Sequence, residues 1–333
     1  MNTMPLSMAA RCEELIETLV VPRPFDIDRF LKALAEKRGR RIKLIRGRLG
    51  PDQPFGMLIS TAEIDYIYSA DDVPPLQFRH TVMHEVGHLL LGHFTSTSGG
   101  GETLRVAGDD ALRLLLPTLS PALVRRILAR TVYASDEERE AELFASLLLS
   151  RVSSVRDAHA GRAPTLHDDL VAPETIVGNP VRQRVWRATR HLTPLWRRVV
   201  AEVPQVRLSD VDVGALTSVE RAQYRLYRRV LEIRDAQLLL RPYIPPEIPE
   251  WAFAAANKRG LDPVAADVLL EAAELDAALD AHRAGQRHHP EVVDVVMPRY
   301  PSETPGVLTE ACQLIRVGTA LHSDPALTAL RRR

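Results

Sequence analysis

Residues 80–93 read HTVMHEVGHLLLGH, and within them His84-Glu85-Val86-Gly87-His88 spells HExxH. On a helix, positions four apart lie on one face with Cβ atoms about 5–6 Å apart, so His84 and His88 can turn both imidazoles to one metal ion. Glu85 sits one residue round from His84, where it can take a proton from a water at the metal without being a ligand. The surroundings predict a buried helix over 75–93. Pro74-Pro75 open it, and Phe78, Val82, Val86, Leu89 and Leu90 supply apolar flanks. Two histidines and a glutamate on or beside a buried face are costly unless paired or metal-bound, and zinc is the expected ion.

Such a site needs a third protein ligand. A histidine six residues after His88, with a glycine between, is the metzincin solution, but Phe94 stands there and His93 comes one residue early, after Gly92. A glutamate from a later helix is the alternative, and the segment beginning at Ser135 supplies candidates. Ser135 and Glu138 fit a capping box, which assigns Glu138 a structural task. Stepping about 100° per residue, Glu140 and Glu137 fall within the apolar stripe of Ala141, Leu143, Phe144, Ala145, Leu147 and Leu148. Glu138 and Glu142 fall outside it or at its edge. Glu140 is therefore the expected third ligand and Glu137 the reserve, with a helix-dipole role as the simpler account of Glu137.

The order IDYIYSADD, LQFRHTVMHEVGHLLLGH, EREAELFASLLLS resembles the ImmA/IrrE family of gluzincin-type metallopeptidases, as does the opening PFDIDRFLKALAEKRGRRIKLI. The resemblance covers residues 9–150. Glu138, Glu140, Ala141, Phe144, Ala145, Leu148 and Leu149 fall on the family's ExEAxxFAxxLL pattern, and the resemblance implies Glu140 as the ligand. It also implies cleavage of a regulatory protein, such as a helix-turn-helix repressor. This chain departs from the pattern in three places. Residues 95–132 lengthen the gap between the motifs, Ser150-Arg151 replace a proline after the LL pair, and Glu142 replaces an asparagine. These departures bear on the shape of a substrate groove more than on metal binding.

Outside the motifs, His80 reads as a structural helix-face histidine, and His93 and Tyr133 are outside candidates for substrate or oxyanion contact. Phe144 occupies the position four residues after Glu140, so no thermolysin-like aspartate is available to orient His84 or His88. Strand-like runs precede the motif at 42–45, 56–60 and 64–68, and helices are expected over 9–20, 28–38, 120–132 and from Ser135 to 150. Residues 157–180 carry Pro, Gly and Asp without period and mark a linker. Beyond them 181–202, 218–240, 249–258, 263–283 and 304–321 read as helices, with Asp262-Pro263 a strong helix start.

The first of those helices is basic, carrying Arg182, Arg184, Arg187, Arg190, Arg197 and Arg198 beside Trp186 and Trp196. A solvated face with its tryptophans packed inward is the simpler expectation, and an anionic-partner surface the sharper one. The stretches TPLWRRVVAEVPQVRL and RLYRRVLEIRDAQLLLRPY resemble the soluble helical domain of actinobacterial multipass membrane proteins of unknown function. His288-His289 next to Pro290 reads as a loop.

The chain has 333 residues, enough for about two domains. Basic and acidic residues both total 43, which removes the general electrostatic footprint of a nucleic-acid or anionic-membrane binder. Cys12 and Cys312 lie at opposite ends and suit a reducing compartment. No secretory leader and no long apolar run are evident, so a cytoplasmic setting is expected.

The sequence thus predicts an α+β zincin-like domain over 1–156, with a small antiparallel or mixed sheet and active-site helices. A linker over 157–180 and an all-α interaction or regulatory domain over 181–333 follow. The expected function is zinc-dependent endopeptidase, with His84, His88 and Glu140 on the metal, Glu85 as base and a specific cytoplasmic protein as substrate. The alternative is a regulator that keeps the fold and acts by binding alone.

Overall fold

The computed structural model describes residues 7–47, 56–60, 63–93, 135–159, 180–208, 216–288 and 306–330. The helix expected over 120–132, the lengthened gap over 95–132, Tyr133, His289 and residues 160–179 of the expected linker lie outside the described residues. The described chain forms two compact units. The first is built from α1 (Met8–Glu17), α2 (Ile27–Arg38), β1 (Arg41–Gly47), β2 (Gly56–Ser60), β3 (Ile64–Ala70), most of α3 (Pro75–Leu91) and α4 (Ser135–His159) as far as Val152. The second contains α5 (Pro180–Glu202), α6 (Ser218–Leu240), α7 (Glu247–Arg259), α8 (Pro263–Arg283), α9 (Val307–Ser323) and α10 (Pro325–Leu330).

In the first unit local signals set the helix ends. Asp26 caps α2 by accepting from Arg29 N at 2.8 Å, and Gly39 ends it in the left-handed region at φ 65°. The three strands make a mixed sheet in the order β1-β3-β2, with β1 parallel and β2 antiparallel to β3. The central strand is the most enclosed, with Ile67, Tyr68 and Ala70 buried. Asp65 on β3 is fully buried, accepting from Ser60 Oγ at 2.5 Å and pairing with Arg40 at 3.1 Å. A buried carboxylate held by a hydroxyl and a guanidinium ties β2 and the α2–β1 turn to the middle of the sheet.

Helix α3 is buried on nearly every side, with Leu76, Val82, Met83, Val86 and Leu89 each at most 4% exposed. It stops at Gly92, whose φ of 74° reverses the chain so that His93 N donates to His88 O. Helix α4 meets it through Ala141 and Phe144, both buried. The closest approach is at Gly87, where a Cβ would lie 3.0 Å from Ala141 Cα and 3.1 Å from Ala141 O. A side chain at Gly87 would press on the Ala141 backbone and push the two helices apart. Helix α4 runs on to His159, beyond the 150 expected, and so into the expected linker.

The second unit is entirely helical among its described residues. Thr217 and Glu220 form a full capping box at the start of α6, and Asp262 caps α8 through Val264 N and Ala265 N. At its centre Arg234 of α6, 2% exposed along its side chain, reaches Glu271 of α8 at 2.5 Å and Glu310 of α9 at 2.8 Å. Gln237 and Gln313 donate to the same Glu271 carboxylate at 2.8 and 3.1 Å. Ionic and amide groups thus fix the register of three helices. No described helix is long and apolar enough to cross a membrane.

Candidate metal centre

His84 and His88 project from one face of α3 as the i, i+4 spacing requires, and their Nε2 atoms stand 3.0 Å apart. The carboxylate that meets them is that of Glu138. Its Oε2 lies 3.3 Å from His84 Nε2 and its Oε1 3.6 Å from His88 Nε2. Glu140, expected as the third ligand, is not part of this cluster. Its Oε1 accepts from Arg11 Nε and Nη2 at 2.8 and 2.5 Å, and its Oε2 lies 3.3 Å from His93 Nε2. Glu137, the reserve, is not in it either. The carboxylate beside the two imidazoles is thus that of Glu138 and not that of Glu140, for a geometric reason. With α3 and α4 touching backbone to backbone at Gly87 and Ala141, the imidazoles reach the flank of α4. That flank carries the row Glu138 and Glu142, not the middle of the apolar stripe.

The outer partners of both imidazoles are present. Glu142, one turn after Glu138, puts Oε2 3.7 Å from His84 Nδ1 and 2.8 Å from His80 Nε2. His80, read as structural, thereby steadies the carboxylate that faces His84. On the other side His93 Nδ1 lies 2.9 Å from His88 Nδ1, and Glu140 faces the far nitrogen of His93. Each of the two motif histidines has one nitrogen in the cluster and the other held by a carboxylate or a second histidine. That is the arrangement which fixes ring orientation in metal sites. Of the partners missed in the sequence, Glu142 was legible from Glu138, since it stands four residues on along the same flank. His93 was signalled by the Gly92 stop that turns it back beneath the helix.

Glu85 is 6% exposed and lies at the start of β2, where a Cβ on Gly56 would fall 2.7 Å from its Oε1. Among the described residues β2 is one of the two outer strands of the sheet, so the HExxH glutamate borders a sheet edge.

Charge in the cluster favours a cation. Burial pushes the Glu85 carboxyl up to about 7, a shift that the His84 charge opposes and Glu138 reinforces. Burial would lower the His84 imidazole, but hydrogen bonds to Glu138 and Glu142 outweigh it and raise it to about 10. His88 is lowered to about 4, chiefly by burial. Burial also opposes ionisation of Glu138 and Glu142. Hydrogen bonds from His84 and His88 nonetheless bring Glu138 down to about 2, and His80 and His84 hold Glu142 well below the usual carboxylate range. Carboxylates on both sides of His84 therefore hold positive charge between them.

The donor set fits zinc. A tetrahedral ion with bonds of about 2.0–2.1 Å keeps its ligand atoms about 3.3 Å apart. The two Nε2 atoms are 3.0 Å apart, and each has a different Glu138 oxygen nearby, Oε2 at 3.3 Å from His84 and Oε1 at 3.6 Å from His88. Two imidazoles and one carboxylate leave the fourth position open, as in catalytic and not structural sites.

Comparison with known proteins bears on the other unit. Residues 181–323 match a family of unknown function (DUF6545). The match spans α5 to α9 and does not include the HExxH helix. No curated protein and no solved structure matches the chain.

Proposed function

We propose that the first unit is a zinc-dependent endopeptidase acting on a protein substrate, with His84, His88 and Glu138 holding the metal and Glu85 as the proton carrier. The observation that carries this reading is the convergence of two imidazoles and one carboxylate, each imidazole backed by an outer partner, beside a buried glutamate that is not itself a ligand. When bound, zinc would acidify a water and polarise a peptide carbonyl. Glu85 takes the proton from the attacking water and gives it to the departing amine nitrogen. Burial of Glu85 keeps its carboxylate poorly solvated, which strengthens it as a base. Among the described residues β2 pairs only with β3, and an extended peptide added along its other edge would border Glu85. The resemblance to the ImmA/IrrE family points the same way and makes a helix-turn-helix repressor the first substrate class to examine.

The test is a comparison of protein N-termini in cells expressing the wild type or Glu85→Gln. The reading expects new N-termini that require Glu85, with at least one reproduced by the purified zinc-loaded protein on the purified target. Identical sets of N-termini, with both proteins zinc-loaded and folded, would overturn it in favour of a regulator that acts by binding.

A further inference from the structure

The cluster at His84 is one half of a longer ladder. His80, His84 and His88 recur every four residues on α3, so their rings line one face of the helix. Glu138 and Glu142 stand one turn apart on α4. The contacts run in opposite order along the two helices. His80 Nε2 lies 2.8 Å from Glu142 Oε2, and the same oxygen lies 3.7 Å from His84 Nδ1. One turn along, Glu138 Oε2 lies 3.3 Å from His84 Nε2 and Glu138 Oε1 3.6 Å from His88 Nε2. Three imidazoles thus alternate with two carboxylates, and each carboxylate stands between two rings. The zinc reading uses the gap at Glu138 alone.

The gap at Glu142 offers the same donor set, two imidazoles and one carboxylate. Its parts are fixed before any ion arrives. Glu142 Oε1 accepts from Ser146 Oγ at 2.9 Å, and Ser146 is fully buried, so the carboxylate is held with Oε2 turned to the two rings. His80 is 5% exposed. The separations from Oε2 to the two ring nitrogens, 2.8 and 3.7 Å, bracket the spacing of about 3.3 Å between ligand atoms on tetrahedral zinc. His84 serves both gaps from opposite ends of one ring, Nε2 towards Glu138 and Nδ1 towards Glu142. An outer partner for His84 requires Glu142 alone. It does not require a further histidine, one turn earlier, on the same carboxylate oxygen.

We propose that a second zinc ion binds in this gap, held by His80 Nε2, Glu142 Oε2 and His84 Nδ1. The ion replaces the protons that the two rings share with Glu142 Oε2, and these leave to solvent. With both ions bound, His84 is an imidazolate bridge, one ion at each nitrogen. Filling is sequential. The second ion must displace the last ring proton of His84 and sit near another dication, so it binds at free zinc well above that which saturates the first site. It also takes over from Glu142 the task of fixing the far nitrogen of His84, which ties the state of the proposed catalytic site to the free zinc concentration. This inference rests on the zinc reading through the shared His84, and the two are separated by which substitution removes which ion.

Zinc titration of the full chain in competition with a chromogenic chelator tests the proposal. The wild type should bind a tight equivalent and a weaker one. His80→Gln keeps a hydrogen-bond donor for Glu142 but has no imidazole, so it should lose the weaker equivalent and keep the tight one. A His80 that serves only as a donor would leave both equivalents in that variant. Glu142→Gln, which keeps an acceptor for Ser146, should also lose the weaker equivalent. Glu138→Ala should lose the tight equivalent and keep the weaker. His84→Gln should lose both, because the ring is shared. Circular dichroism with thermal melting will show which variants keep the wild-type fold, and His80→Gln and Glu142→Gln test the second site independently of each other. Three results would each overturn the second site. They are a wild type that saturates at one equivalent, a weaker equivalent that persists in folded His80→Gln or Glu142→Gln, and a weaker equivalent that survives His84→Gln. A tight equivalent that persists in Glu138→Ala would instead overturn the zinc reading of the first site, whatever His80→Gln shows.

Discussion

Glu142 Oε2 stands 3.7 Å from His84 Nδ1, on the side of the ring opposite the Glu138 carboxylate. The imidazole is thus gripped from both ends, and the same Glu142 oxygen is steadied at 2.8 Å by His80 Nε2. Removing an outer partner of this kind from a metal site costs about 10–100-fold in metal affinity or activity. Glu142→Ala and His93→Phe should each weaken zinc binding by that order, measured by competition with a chromogenic chelator. Both variants should still fill the His84–His88–Glu138 site when zinc is in excess.

Gly87 tests the packing that places Glu138. In an exposed helix Gly→Ala gains about 0.8–1 kcal/mol. Here the added methyl would stand 3.0 Å from Ala141 Cα, a backbone atom with no rotamer to yield. Overpacking of this kind costs about 1–3 kcal/mol, so the net effect of Gly87→Ala is destabilising. Chemical denaturation should show a lower midpoint. Zinc affinity should fall with it, because pushing α4 away moves Glu138 from the imidazoles.

The Arg234 network should respond asymmetrically. Arg234→Met leaves Glu271 and the fully buried Glu310 without their cation, and breaking a buried pair from one side costs about 3–5 kcal/mol. Glu310→Gln keeps an acceptor for Arg234 and removes one charge, so it should cost distinctly less. Urea unfolding of the two variants gives the comparison. Equal losses would show that the Glu310 charge counts for as much as the whole Arg234 interaction, contrary to this expectation.

Glu274 makes the helical unit sensitive to pH. Burial, reinforced by the neighbouring Glu271 charge and opposed by Arg241, pushes its carboxyl up to about 8. The folded state therefore holds a proton that the unfolded chain releases near the ordinary value of about 4.3. Its contribution is fully present below that value and is lost as pH rises towards 8, an effect on the order of a few kcal/mol. Glu274→Gln should flatten the decline in melting temperature between pH 5 and 8 and leave the variant the more stable protein at pH 8.5. A wild-type profile already flat over that interval would count against this assignment.

Much of the fold was legible where a local signal acts alone. The Asp26 cap and Gly39 stop of α2, the Asp262-Pro263 start of α8 and the HExxH helix itself all follow from spacing and capping chemistry. What the sequence could not show depends on distances between elements. The pairing of β1 with β3, parallel and across an intervening strand, leaves no mark in any single run of residues. That Glu138 and not Glu140 stands beside the imidazoles was hidden for a related reason. A helical wheel locates the centre of the buried stripe, and Glu140 lies near it. The two imidazoles instead meet the flank of that stripe, where Gly87 lets α3 and α4 close to backbone contact. Trp186 was misplaced likewise. It is 57% exposed, whereas Trp196 donates its indole N–H to the buried Glu232, and helical periodicity alone did not reveal which of the two turns inward.

Zinc binding by the wild type, Glu138→Ala, Glu140→Ala and Glu85→Gln tests the central claim most directly, read as metal content after dialysis against a fixed, low free zinc concentration. The wild type and Glu85→Gln should each retain one equivalent. Glu138→Ala should lose most of it, and Glu140→Ala should lose no more than an outer-partner substitution, about 10–100-fold in affinity. Full occupancy in Glu138→Ala, or no zinc in the wild type, would contradict the account.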